Sequence, residues 1–224
     1  MNARDAILTK IKNQIAGNTD DTARRAAVAN RMATAPKGVI PERGQLDAPA
    51  RQALFCDRAE AVQATTCKVG SHADIPEAVS DFLRQRNLPQ SIRMGEVGQL
   101  ASIDWSASPQ LTTATGPTAG DDATGLSHAI AGVAETGTLV LTSGAENPTT
   151  LNFLPENHIV VINASDIDGD YETALGRVRE IHGKGRMPRA VNFITGPSRS
   201  ADIQQKLLLG AHGPRALHII VVDA

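Results

Sequence analysis

Aromatic residues are scarce in this chain, with one Trp, one Tyr and four Phe among 224 residues. That scarcity argues against stacking of nucleobases as its main business. Nor is there an excess of positive charge: 22 Lys and Arg stand against 24 Asp and Glu, for a formal net charge of −2 and a pI near 6.3. Without a general basic field, nucleic acid is not expected as a partner, whereas local anion binding stays open. The two cysteines, Cys56 and Cys67, do not form a CxxC pair. They cannot supply the four thiolates that iron–sulfur clusters usually take, so electron flow through clusters would need another subunit. Both are expected as half-buried fillers in a reducing compartment. No apolar run approaches membrane-spanning length, and residues 1–10 lack the apolar core of a signal peptide. The expectation is a cytoplasmic protein with no membrane span. Histidine spacings typical of metal sites, a DxDxDG loop, Walker and dinucleotide glycine fingerprints and a GxSxG elbow are all missing, so no metal ligands are expected. Asp121 and Asp122 read as part of a solvated loop over 116–125.

What is present reads as α/β. Ile7, Leu8, Ile11 and Ile15 recur near helical spacing, with Asp5 early and Gly17 after the end, and predict an amphipathic helix over 4–16. A second helix is expected over 20–33, and together they make an N-terminal helical arm, residues 1–47, peripheral or in contact with a second copy in a homodimer. Residues 48–224 are expected to form the α/β domain. Helices are predicted over 50–64, 75–86, 147–153, 171–182 and 199–209. Strands are predicted over 66–69, 91–94, 110–114, 128–134, 138–142, 158–162, 190–195 and 217–222. Ile159-Val160-Val161-Ile162 and Ile219-Ile220-Val221-Val222 are continuously apolar rather than alternating. Burial on both faces demands that pattern, so the fold class is a layered, open, mainly parallel sheet flanked by helices.

Three segments could carry chemistry. In Thr195-Gly196-Pro197-Ser198-Arg199-Ser200 a strand is expected to end, turn and open a helix. Gly196 lets the backbone turn, Ser198 or Ser200 can cap the helix or offer a hydroxyl, and Arg199 supplies a planar fork for carboxylate or phosphate. A capped, solvated helix start explains the same residues without a ligand. Glu135, in Ala134-Glu135-Thr136-Gly137-Thr138-Leu139, lies between apolar strands, and a carboxylate there is paired, exposed at a strand end or tuned for work. Thr142-Ser143-Gly144-Ala145-Glu146-Asn147 could form a further backbone cradle, with Asn147 equally well explained as a helix cap. Of six histidines, His212 sits on a glycine-bracketed loop where a proton shuttle or anion contact is possible. His218 reads as core, and His158 as a strand-entry residue.

Taken together, the segments around Glu135, Arg199 and Gly210-Ala211-His212-Gly213-Pro214 resemble the lactate-utilisation (LUD) domain family, and within it the lactate utilisation protein C group, best over 112–223. The resemblance implies the fold shared with ribose-5-phosphate isomerase, glucosamine-6-phosphate deaminase and coenzyme A transferases. It also implies a role in L-lactate catabolism, as a subunit working beside iron–sulfur partners in oxidation of L-lactate to pyruvate. On that reading the cofactor is unknown, with clusters only in partner subunits. A small anionic ligand would lie in a crevice at the strand carboxyl ends. Glu135 and His212 would be its catalytic residues, and Gly137, Thr138, Ser143, Gly196, Ser198, Arg199 and Ser200 would bind it. Two alternatives remain open at this point: a stand-alone coenzyme A transferase-like or sugar-phosphate-handling enzyme using Glu135, and a non-catalytic assembly subunit.

Overall fold

Long β-branched runs fold here as central strands, and the small-residue segments between them become turns and edges. The structure, a computed structural model, describes residues 2–16, 21–203 and 206–223. It divides into two units, residues 1–39 and 40–224. The first holds α1 (Ala3–Ala16) and α2 (Asp21–Thr34). Asn2 accepts the Asp5 N–H at 3.1 Å and caps α1, while Asp21 pairs with Arg24 and Arg25 one turn on. Gly17 as a helix stop and residue 20 as a helix start lie outside the described residues.

In the second unit, α3 (Ala48–Ala61) starts where the Asp47 side chain accepts the Ala50 N–H at 3.0 Å. It leads into β1 (Thr65–Val69), α4 (Ile75–Gln85), β2 (Ser91–Met94), β3 (Thr112–Thr115), β4 (Thr124–His128), β5 (Ala131–Val133), β6 (Thr138–Thr142), β7 (Asn157–Asn163) and β8 (Ile167–Asp168). Then follow α5 (Tyr171–His182), capped by Asp170 on the Thr173 N–H, and β9 (Val191–Ile194), β10 (Arg199–Ile203), β11 (Lys206–Leu209) and β12 (Ala216–Val222).

Six strands make one parallel sheet in the order β1-β12-β7-β4-β2-β3. The expected α/β class, a mainly parallel sheet flanked by helices, is what forms. Its two faces separate by alternate residues. Val160, Ile162, Leu217, Ile219 and Val221 pack with Phe55 of α3 and with Leu139 and Leu141 of β6. Ile159, Val161, Ile220 and Val222 pack with Ile75, Val79, Phe82 and Leu83 of α4. Each large apolar side chain fully buried in this way contributes about 1.5–3 kcal/mol. A second sheet, β8-β5-β6-β9, lies against the first face and carries α5 on its far side through Val133, Val140, Ala174 and Val178. β6 is antiparallel to both β5 and β9.

Four expectations change. The strand over 128–134 is two strands, β4 and β5, because the chain leaves the parallel sheet at Ala129 and enters the second sheet. β4 also takes in the end of the segment read as loop over 116–125; its polar Thr-Gly-Leu-Ser-His run hid it. The helix over 147–153 contracts to a single 3-10 turn, Thr149–Asn152, entered through Pro148, and Asn147 donates to the Thr142 carbonyl instead of capping. The helix over 199–209 does not form: β10 and β11 pair as an antiparallel hairpin, Arg199 opposite Leu209 and Ser200 opposite Leu208. Helix propensity is a weak prior there, and the cross-strand pairing wins.

Candidate functional site: a crevice behind the β9 turn

β9 ends at Ile194 and the chain turns at Gly196 with φ +75°, where a Cβ would stand 2.5 Å from the Val62 carbonyl oxygen. Only glycine fits a left-handed turn pressed that closely on another backbone. Ser198 then fastens two loops together. Its N–H donates to the Pro214 carbonyl at 2.8 Å, its carbonyl accepts from Gly210 at 2.9 Å, and its Oγ accepts the His212 N–H at 3.3 Å. The hydroxyl proton stays available to a ligand. Ser198 is thus a clasp and not a helix cap. With no helix after it, the anion attraction expected from a helix N-terminus is absent, and Arg199 is the arginine among the residues lining the crevice.

The crevice has a volume of about 280 Å³ and is walled by Thr195, Gly196, Ser198, Arg199, His212 and Phe153, with His158 and Asn152 also lining it. A space of that size, at the low end for ligand pockets, suits a molecule of few heavy atoms. It opens at the carboxyl end of β9 but at the amino ends of β7 and β12, since His158 and Leu217 stand second in those strands. The expected position at the carboxyl ends of the parallel sheet is therefore corrected. The reason is the second sheet, whose β9 delivers the Gly196 turn to the opposite end.

Behind this wall runs a buried polar chain that sequence reasoning missed. His158, 1 % exposed, has its Nε2 2.9 Å from Ser127 Oγ, and Ser127 donates to Asn152 Oδ1 at 3.1 Å. Burial holds the His158 imidazole far below its ordinary pKa, at about 3, so the ring is neutral. The available signal was polarity at Ser127 within β4 and at His158 entering β7; the register sets Gly125 opposite His158 and Ser127 opposite Val160, so the two polar side chains meet diagonally across the strand pair.

Gly196, Ser198, Arg199 and His212 thus converge on one cavity. Ser200 is half-buried in the hairpin and does not line the cavity. Thr138 touches it indirectly, its buried hydroxyl meeting Thr195 Oγ1 at 2.7 Å and Tyr171 Oη at 3.0 Å. Gly137 makes a close packing contact, with φ +67° and a hypothetical Cβ 2.3 Å from the Ala59 nitrogen of α3. Glu135 lies apart from His212: its carboxylate, 4 % exposed, meets Arg43 Nη2 at 2.8 Å as an ion pair without hydrogen-bond alignment. Ser143 is elsewhere, where its Oγ accepts the Ala190 N–H at 2.9 Å beside a second cavity of about 290 Å³ lined also by His128, Asn147 and His182. Burial lowers the His128 pKa, with His72 adding to that effect and Asp166 opposing it. His218 is core, stacked on Phe82 at 4.4 Å. Cys56 is buried and Cys67 half-buried, both free thiols, and burial raises both pKa values. No described helix is long and apolar enough to cross a membrane, and no group of three potential metal ligands occurs among the described residues.

Fold and crevice together define a layered α/β protein with two sheets and a small crevice behind the β9 turn. The family model of the LUD domain matches residues 44–222, and the chain belongs to that family. Among curated relatives, a protein named lactate utilization protein C from Shouchella clausii is 40% identical over 91 residues, 41% of this chain and 40% of that one. Another of that name from a Geobacillus species is 44% identical over 93 residues, 41% of this chain and 39% of the relative. The matched stretch is thus about two-fifths of each relative's length. A crystal structure of a DUF162 family protein from Deinococcus radiodurans shares the fold with a TM-score of 0.60 at 20% identity, over 80% of this chain and 99% of that one.

Proposed function

We propose that this protein is a component of an L-lactate utilisation system, supporting oxidation of L-lactate to pyruvate beside iron–sulfur partner subunits in the cytoplasm, and that the crevice takes the small carboxylate. The observation that carries the reading is the LUD domain match over 44–222, alongside relatives named for lactate utilisation. The geometry supports it through Arg199, Ser198 and the loop residue His212, which line one cavity of about 280 Å³. Arg199 clamps the carboxylate with a two-pronged hydrogen-bond fork. Ser198 adds its hydroxyl proton, and His212 reaches the anion from the facing loop. Oxidation of lactate to pyruvate releases two electrons and two protons. With two cysteines in the chain, a four-thiolate cluster has to come from a partner, so the electrons leave through that subunit.

The test is genetic. Cells of the source organism lacking this protein are expected to lose growth on L-lactate while growing normally on pyruvate, and the wild-type gene restores it. Arg199→Ala is expected to restore no more than about a tenth of the L-lactate-dependent dye reduction at equal protein level, the loss of one charged hydrogen-bonding partner. Undiminished growth of the deletion strain on L-lactate contradicts the proposal.

A further inference from the structure

Among the described residues, two buried polar atoms of residues that line the crevice have no hydrogen-bond partner: His158 Nδ1 and Asn152 Nδ2. Both residues are 1 % exposed and both line the cavity that Arg199 walls. Their roles follow from the chain that links them. Ser127 gives its hydroxyl proton to Asn152 Oδ1, so Ser127 Oγ must accept from His158 Nε2–H. In that direction the imidazole carries its proton on Nε2 and a bare lone pair on Nδ1, and the Asn152 amide has an unused N–H. Running the chain in the opposite direction exchanges the two roles and still leaves one donor and one acceptor. Buried polar groups of this kind are nearly always paired in folded proteins, and leaving one unpaired is costly.

We infer that Asn152 and His158 form a hydroxyl-recognition subsite, which selects a small anion carrying an uncharged hydroxyl over the same anion carrying an oxo group or no oxygen at that carbon. A hydroxyl donates one hydrogen bond and accepts others, so it can answer both free groups. An oxo oxygen only accepts, and leaves the acceptor of the pair, the histidine lone pair or in the reverse direction the Asn152 amide oxygen, buried and unpaired. A methylene answers neither. A site built to pair with a substrate hydroxyl rejects the analogue without it much more strongly than an apolar pocket rejects a change of size. Within the lactate reading, on which this inference rests, Arg199 holds the carboxylate, and the subsite distinguishes the reduced acid from its oxidised product. Asn152, His158 and Ser127 are then specificity determinants additional to the loop residues.

The experiment is calorimetric titration of the purified full chain with L-lactate, pyruvate and propionate, repeated with His158→Leu, Asn152→Leu and Arg199→Ala. The wild-type protein is expected to bind L-lactate roughly tenfold more tightly than pyruvate or propionate, the discrimination one unpaired buried group provides. Either floor variant is expected to bring L-lactate down to the affinity of propionate, while Arg199→Ala weakens all three alike. Side-chain nitrogen NMR of labelled histidine adds a readout independent of affinity, with the His158 Nδ1 signal shifting on addition of L-lactate and not of propionate. Equal affinity for the three acids, abolished by Arg199→Ala, overturns the hydroxyl subsite and leaves the anion crevice standing, with the floor atoms satisfied by water. Absence of binding by all three overturns both. The wild-type comparison needs no variant, so a misfolded His158→Leu cannot rescue the inference.

Discussion

His158 and His218 stand in neighbouring strands on opposite faces of the large sheet, and both are held neutral. His158 lies behind the crevice with a pKa of about 3, and His218 against Phe82 and the Thr65 hydroxyl with a pKa of about 4, in each case mainly through burial. An unfolded histidine titrates near 6.5. Above that pH neither state is protonated and neither histidine affects stability. Below it the unfolded chain takes up protons that the folded one refuses, so stability falls as pH drops from about 6.5 towards the folded values. At pH 5 the loss is about 2 kcal/mol for each histidine. Urea midpoints are expected to fall between pH 7 and pH 5, and His218→Gln to make that fall shallower; an unchanged slope in the variant would show that His218 is not the titrating group. The residues around Gly196 and Arg199 were legible in sequence because turn grammar is local. His158 was not, because its partner Ser127 is 31 positions away and meets it only once β4 and β7 pair.

Secondary structure was legible where a pattern repeats within one element. α5 and β2 have the expected limits, and α3 and α4 differ by a few residues at most, since capping and apolar spacing are local signals. The β10–β11 hairpin was misread as a helix because cross-strand pairing, and not the propensity of either segment, decides it. Ser198 binds the chain at Pro214, Gly210 and His212, and that clasp sets the hairpin's entry beside the crevice. Ser198→Ala removes the hydroxyl acceptor and keeps both backbone bonds. Hydrogen exchange is expected to accelerate about tenfold at the His212 amide and little at Gly210, in line with losing one neutral hydrogen bond. Equal acceleration at both amides would mean that the loop is held differently. In the same region Gly196→Ala forces a Cβ to within 2.5 Å of the Val62 carbonyl at positive φ, and a loss of about 2 kcal/mol or more is expected in thermal melts.

At the scale of the molecule, two uninterrupted apolar runs were enough to indicate a parallel sheet covered on both faces. They did not indicate the second sheet, whose strands are short and whose β5 begins three residues after β4 ends. That sheet determines where the crevice is. It carries the β9 turn to the amino ends of β7 and β12, closes a small crevice over a buried polar floor, and leaves Glu135 with Arg43 and Ser143 at the other cavity. Under the proposed function, family membership and this geometry describe a subunit that takes a small carboxylate and hands electron transfer to partners rich in thiolates. The most direct measurement is purification of the tagged chain from L-lactate-grown cells, with bound iron and L-lactate-dependent dye reduction assayed in the eluate. Iron-bearing partners together with activity that disappears when this chain is left out of the reconstituted mixture is the predicted result. Recovery of the chain alone, free of iron and inert towards L-lactate, would contradict the account.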